Sequence, residues 1–303
     1  MKLLTYYKED GQQQLGILST HGVIDAAAAG GKLGLSAISD IHAIIEGGAD
    51  KLSELQQILE AVDSDPGRYQ DVLLEEKRLK LAPAVTRPGK IICVGLNYRK
   101  HAEETNAPIP LYPILFNKFN NALAATGDVI TLPKVSDQVD YEAELVIVIG
   151  SKTKDVSVEQ ALNHVFGYCN ANDLSARDLQ NRTAQWLLGK SCDGFAPLGP
   201  YVVTTDEVGN PNELNIRCTV NGTIRQNSST ADMIFPCDEI VSYISQHMTL
   251  LPGDIILTGT PEGVVFGLPP EQRIYLQDGD AVTIEIEKLG ALTNVMAAER
   301  LEQ

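Results

Sequence analysis

Residues 140–150 read DYEAELVIVIG, and both the fold and the chemistry turn on this stretch. The run Leu145–Ile149 is rich in Val and Ile and stops at Gly150, as a buried strand does. Glu142 and Glu144 lead directly into it, with Asp140 on the same parity. Alternate residues of a strand share a face, so both glutamates point the same way, about 7 Å apart. Like charges side by side on a buried strand are costly. Two readings follow: a half-exposed strand with solvated glutamates, or a divalent cation that offsets the charge. Hard cations such as Mg²⁺ take oxygen ligands, typically a few carboxylates completed by water or substrate. Asp173, in ANDLSARDLQ at 171–180, is the candidate third carboxylate.

Working outward, the surroundings are also strand-rich. KIICVGLNY (90–98) starts a strand, and VEQALNHVFGYCNANDL (158–174) begins as a helix and turns into one. LNIRCTVNGTIRQ (214–226) is a hairpin whose Asn221-Gly222 supplies the positive-φ turn. MIFPCDEIVSYISQHMTL (233–250) becomes helical in its second half, PGDIILTGTPEGV (252–264) is turn, strand and Gly-rich loop, and DGDAVTIEIEKLGALTNVM (278–296) is a closing strand pair. Upstream, residues 1–27 read as short strands with a turn near Asp10-Gly11, followed by helical segments over 36–46 and 51–63 and a break at SDPG, 64–67. The Pro-rich LAPAVTRPGK, 81–90, marks a boundary. The expectation is a β-rich α+β fold without βαβ alternation: a small N-terminal α/β domain over 1–80 and a larger barrel-like or rolled unit over 81–303.

The formal charge of −16, from 24 basic and 40 acidic residues, argues against a nucleic-acid partner. Five widely spaced cysteines with no CxxC pair fit thiols in a reducing compartment. The start MKLLTYYKEDG lacks the apolar core of a signal peptide, and no run approaches the roughly 20 apolar residues of a membrane helix. These features predict a cytoplasmic protein without a membrane partner.

Three further clusters carry chemistry-bearing residues. In NYRKHAEE, 97–104, His101 and Glu104 share a face if the segment is helical. The pair is then either a general base oriented by a carboxylate or a surface pair. In QWLLGKSCDGFAPLGP, 185–200, Lys190 either stabilises a developing negative charge or reaches the surface on its flexible stem. In LTGTPEGV, 257–264, Gly259-Thr260 offers a backbone N–H and a hydroxyl to a ligand carboxylate, or forms a tight turn.

These clusters occur in one order, and with VNGTIRQ and GDAVTIEIEKLGALTN they resemble the fumarylacetoacetate hydrolase (FAH) family over residues 90 to about 295. Within it the chain is similar to the FAH-domain-containing, acylpyruvate hydrolase-like group. The resemblance implies a mixed β-sandwich roll, commonly a homodimer. It implies Mg²⁺ (or Mn²⁺) on Glu142, Glu144 and Asp173, and a His101–Glu104 dyad on a lid. It also implies substrate contacts from Lys190 and Thr260 beside Gly259, with Arg177 and Gln180 around the site. The implied reaction is metal-dependent hydrolysis of a C–C bond in a 2,4-diketo acid of acylpyruvate or fumarylpyruvate type, through a pyruvate enolate. Oxaloacetate decarboxylation and keto–enol or 2-hydroxydienoate isomerisation need the same enolate-stabilising site, and a non-catalytic binding protein would have lost part of the residue set. One departure stands out: 115–128, LFNKFNNALAATGD, has Phe119 after Lys118 and Ala125-Thr126-Gly127 where relatives carry prolines. The family uses this region for the far end of the pocket.

Overall fold

The computed structural model describes residues 1–35, 38 and 40–299. The strand read from the opening stretch spans Ala143–Ile149 and is buried at every position. It lies inside a large sheet that runs Leu73–Leu74, Gly22–Asp25, Gln13–Ser19, Lys2–Tyr7, Ala196–Thr204, Val165–Asn172, Ala143–Ile149, Ile255–Leu257, Ile91–Gly95, Ile114–Lys118. Pairing along this path is antiparallel except between Ile255–Leu257 and Ile91–Gly95. A second sheet runs Thr223–Ser229, Asn215–Val220, Ala281–Ile286, Gly290–Ala298, Val129–Leu132.

The two sheets explain why Leu145–Ile149 is apolar at every position rather than at alternate ones. Leu145, Ile147 and Ile149 share a core cluster with Ile216, Val282, Ile284 and Leu292 of the second sheet. Val146 and Val148 belong to a cluster on the other side, with Ile41, Ile44, Leu55 and Ile58 of the helix Ile41–Ser64. A strand covered on both faces needs a continuous hydrophobic run. The result is a β-rich α+β roll of two packed sheets with a helical layer on one side.

The strands before residue 80 extend the large sheet, because Lys2 and Leu3 pair with Val203 and Val202. The two helical segments expected over 36–46 and 51–63 meet in one element, Ile41–Ser64, broken at Gly48 (φ 55°, ψ −134°). Its start is capped by Asp40, which accepts from the His42 N–H. Residues 36, 37 and 39 of the first expected helix lie outside the described residues. The hairpin forms as expected, with φ of 51° and 77° at Asn221 and Gly222. Among the described residues no helix is long and apolar enough to cross a membrane.

Candidate active site

The helix-covered face of the large sheet carries Val148, Val146, Cys169 and Ala171 and then, at its open end, Glu144, Glu142 and Asp173. Pairing of Ala143 with Asn172 and Glu144 with Ala171 sets this register. Two bonds lock it: the Glu142 N–H donates to Asn172 Oδ1 (3.0 Å), and the Asp173 N–H donates to the Glu142 carbonyl (2.9 Å). One carboxylate oxygen from each of Glu142, Glu144 and Asp173 lies within 4.8 Å of the others. All three residues are buried, Glu144 to 1% exposure, so the solvated-strand reading does not hold.

Protein cations compensate this charge unevenly. Lys190, buried rather than reaching the surface, places Nζ 2.7 Å from Glu142 and 2.8 Å from Asp173. Arg177 Nη2 sits 2.7 Å from Glu142 and 2.9 Å from Asp140, while its Nη1 donates to Gln180 (2.9 Å). Burial works to raise the Glu142 carboxyl, but Lys190 and Arg177 outweigh it and bring it down to about 2. Glu144 is different. It accepts the Gly259 N–H at 2.7 Å but has no cationic partner among the described residues. Burial, Asp173 and Glu142 together push its carboxyl well above its ordinary range. A buried all-oxygen triad in which one carboxylate lacks a counter-ion fits a hard divalent cation. Glu142, Glu144 and Asp173 would hold it.

Two contributors were missed in the sequence. Lys118 is fully buried, pairs with Asp173 (2.6 Å), and donates to the carbonyls of Leu174 (3.2 Å), Phe195 (2.8 Å) and Lys190. Nothing in its exposed neighbourhood, Phe119 to Asn121, signals this. Asp140, noted only for its parity, accepts from the backbone of Tyr141, Val265 and Phe266 at 2.9–3.0 Å and also binds Arg177. It ties the guanidinium to the 263–267 loop.

The dyad lies across the cavity. Arg99–Glu104 is a short helix, and His101 Nδ1 is 2.7 Å from Glu104 Oε1. His101 is buried, not a surface pair, and lines a cavity of about 180 Å³ with Glu142, Glu144, Arg177, Lys190 and Thr260. Val94, Phe116, Trp186 and Phe266 form its apolar walls. Gln180 also reaches it. The Gly259 N–H, read in the sequence as a donor to a ligand carboxylate, is instead spent on Glu144. Thr260 Oγ1 accepts from Gln226 (2.8 Å), leaving its hydroxyl proton for the cavity. Of the 115–128 segment only Phe116 lines this space; Ala125 and Gly127 bond instead to Asn294 and Thr293 of the second sheet.

Known proteins resemble this chain in sequence and fold. The family model described as fumarylacetoacetate (FAA) hydrolase C-terminal matches residues 90–297. A fumarylacetoacetate hydrolase domain-containing protein 2 homolog from Dictyostelium discoideum is 43% identical over 307 residues, 97% of this chain and 96% of that one. A Xenopus laevis protein named oxaloacetate tautomerase fahd2, mitochondrial, is 47% identical over 245 residues, 80% of this chain and 74% of that one. The crystal structure of maleylpyruvate hydrolase from Sphingobium sp. SYK-6, in complex with manganese(II) ion and pyruvate, aligns with a TM-score of 0.78 at 28% identity, covering 99% of this chain and 100% of that one.

Proposed function

The chain belongs to the fumarylacetoacetate hydrolase family, and on that premise we propose that it is a divalent-metal enzyme interconverting the keto and enol forms of a small 2-keto acid, with oxaloacetate as substrate. The observation that carries this reading is His101, bonded to Glu104, lining one small cavity together with Glu142 and Glu144 of the acidic triad. About 180 Å³ is below the roughly 300–1,000 Å³ of pockets for drug-sized ligands, which favours a compact substrate. The name of the Xenopus relative points the same way.

Glu142, Glu144 and Asp173 would hold Mg²⁺ or Mn²⁺, which when bound supplies Lewis-acid polarisation of a keto oxygen. His101 takes the proton from the carbon next to the keto group and, as the imidazolium, gives it back to the oxygen, so that the ring ends neutral. Glu104, bonded to Nδ1, holds the ring so that Nε2 faces the reaction and raises its basicity. Lys190, whose ammonium is held firmly protonated against burial by Asp173 and Glu142, places fixed positive charge beside the developing enolate. Arg177 and the Thr260 hydroxyl orient the carboxylate ends. The apolar walls exclude water from the proton transfer.

A second reading keeps the same residues and lets His101 activate water, so that a 2,4-diketo acid is cleaved at a C–C bond. The maleylpyruvate hydrolase likeness favours it. Decarboxylation of oxaloacetate needs only the enolate-stabilising part of the site. One experiment separates them. The decay of enol-oxaloacetate absorbance, CO₂ release, and pyruvate release from acetylpyruvate are followed with Mg²⁺ and with EDTA. Metal-dependent acceleration of tautomerisation alone supports the proposal. Pyruvate from acetylpyruvate without such acceleration replaces it with hydrolysis.

For the partner we propose a second copy of this chain, supported by exposed Ile109, Leu111 and Tyr112 beside the edge strand Ile114–Lys118. All five cysteines are free thiols, which supports a reducing compartment.

A further inference from the structure

The dyad does not stand alone. The second carboxylate oxygen of Glu104, Oε2, accepts the Gly263 N–H at 2.9 Å. Four residues on, Gly267 ends a single 3-10 turn, Val265–Gly267, that lies directly against the same carboxylate. A Cβ at 267 would sit 2.5 Å from Glu104 Cδ, 2.6 Å from Oε2 and 2.9 Å from Cγ. The turn between these two points is itself fixed, because Asp140 accepts the N–H groups of Val265 and Phe266, both at 3.0 Å.

We infer that the 263–267 loop is a positioning strap for the catalytic dyad, and that Gly267 is its determining residue: the missing side chain makes the seat into which the Glu104 carboxylate fits. One edge of that carboxylate is held by Gly263, its flank rests on Gly267, and the remaining oxygen is thereby presented to His101 Nδ1. Glu104 is the flexible partner in this contact and the loop backbone is anchored, so added bulk at 267 displaces the carboxylate rather than the loop. Gly267 does not have the positive φ that would strain an alanine, and it is only half-buried. The substitution therefore tests seating, not folding. Both contacts on Glu104 would lengthen together, and the imidazole would lose its orienting bond. A misplacement near 1 Å at a reacting group costs about 100-fold.

This inference rests on the dyad reading given above. The test is a double-mutant cycle of Gly267→Ala and Glu104→Ala, read by metal-dependent turnover of oxaloacetate and by the Mg²⁺-induced shift in melting temperature. The hydrogen-bonded imidazole N–H resonance of His101, assigned by its loss in His101→Asn, is followed by proton NMR. The expected result for Gly267→Ala is a fall in kcat of about 10- to 100-fold. KM and the Mg²⁺ shift stay unchanged, the resonance is lost, and no further loss appears when Gly267→Ala is added to Glu104→Ala. Wild-type turnover in Gly267→Ala, or an equal fold-loss in the Glu104→Ala background, overturns the strap while leaving the dyad standing. Full turnover in Glu104→Ala overturns the dyad reading, and the strap with it.

Discussion

Replacing Glu144 with glutamine changes one atom and should reverse the order of stability between metal-free and metal-loaded protein. Glu144 is 1% exposed and has a single hydrogen-bond donor, Gly259, which an amide oxygen can keep. Its carboxyl is raised well above its ordinary 4.5 by burial, Asp173 and Glu142. A raised carboxyl means that the folded protein binds more protons than the unfolded one above pH 4.5. The associated stability is full below 4.5 and is lost as pH rises through the higher folded value. Above pH 4.5 without metal, the parent has given up part of that stability, whereas glutamine does not titrate and gives up none, so Glu144→Gln should melt above the parent at pH 8. With metal the order inverts. A cation at 100 times its Kd stabilises the parent by about 2.7 kcal/mol. At about 2.1 cal/mol/K per residue, 303 residues unfold with an entropy near 0.6 kcal/mol/K, so the shift is about 4 °C. Glu144→Gln should show almost none of it. The assay is differential scanning fluorimetry at pH 8 with EDTA or with a Mg²⁺ or Mn²⁺ series. A variant that keeps the full metal shift refutes the ligand assignment. A metal-free variant no more stable than the parent refutes the uncompensated-charge argument.

Other substitutions follow from the same contacts. Lys118→Met strips a buried cation from Asp173 and leaves three carbonyls without their donor; urea unfolding should show a loss of about 3–5 kcal/mol. His101→Ala should retain the metal-induced melting shift and lose about 10²- to 10⁴-fold in kcat, and a variant turning over at the parent rate would remove His101 from the mechanism. Acid should act through Glu142. Its carboxyl is lowered to about 2, so its contribution to stability is present above pH 4.5 and lost as pH falls from 4.5 through about 2. Lys190→Met, which removes the stronger of the two cationic influences that lower Glu142, should move the acid-unfolding midpoint measured by circular dichroism.

What was legible in the sequence follows from how local each signal is. The glutamate pair stood out because strand parity places Glu142 and Glu144 together without reference to the rest of the chain, and the unbroken run Leu145–Ile149 already required cover on both faces. His101 and Glu104 were readable because a helix turn joins residues three apart. Asp173 could be named as a candidate third carboxylate, and family resemblance added to that, but its neighbourhood with Glu142 depends on pairing between two strands that no local pattern shows. Lys118 had no such route. It meets Asp173 across 55 residues of chain, from an edge strand whose next residue, Phe119, is exposed. The extension of the large sheet by strands before residue 80 was also hidden, because the Lys2–Val203 pairing joins the two ends of a long loop with no local pattern.

Lys118 and Asp140 matter because they complete the site's charge. Four buried carboxylates, Asp140, Glu142, Glu144 and Asp173, face three buried cations, Lys118, Arg177 and Lys190. With all four ionised, as metal binding requires, one negative charge is left over, and it falls on Glu144, the carboxylate without a cation among the described residues. A monovalent cation would merely neutralise this set. A divalent one turns it net positive in a low-dielectric cavity, where a charge without a partner is strongly disfavoured. The loaded site then calls for an anion that brings oxygen donors of its own, as a 2-keto carboxylate does. The same arithmetic predicts that metal and substrate bind with positive coupling: a saturating keto acid should tighten Mg²⁺ binding by the same factor that Mg²⁺ tightens the acid. Calorimetric titrations in both orders test it. Equal Mg²⁺ affinity with and without the acid would mean that the surplus charge is met elsewhere.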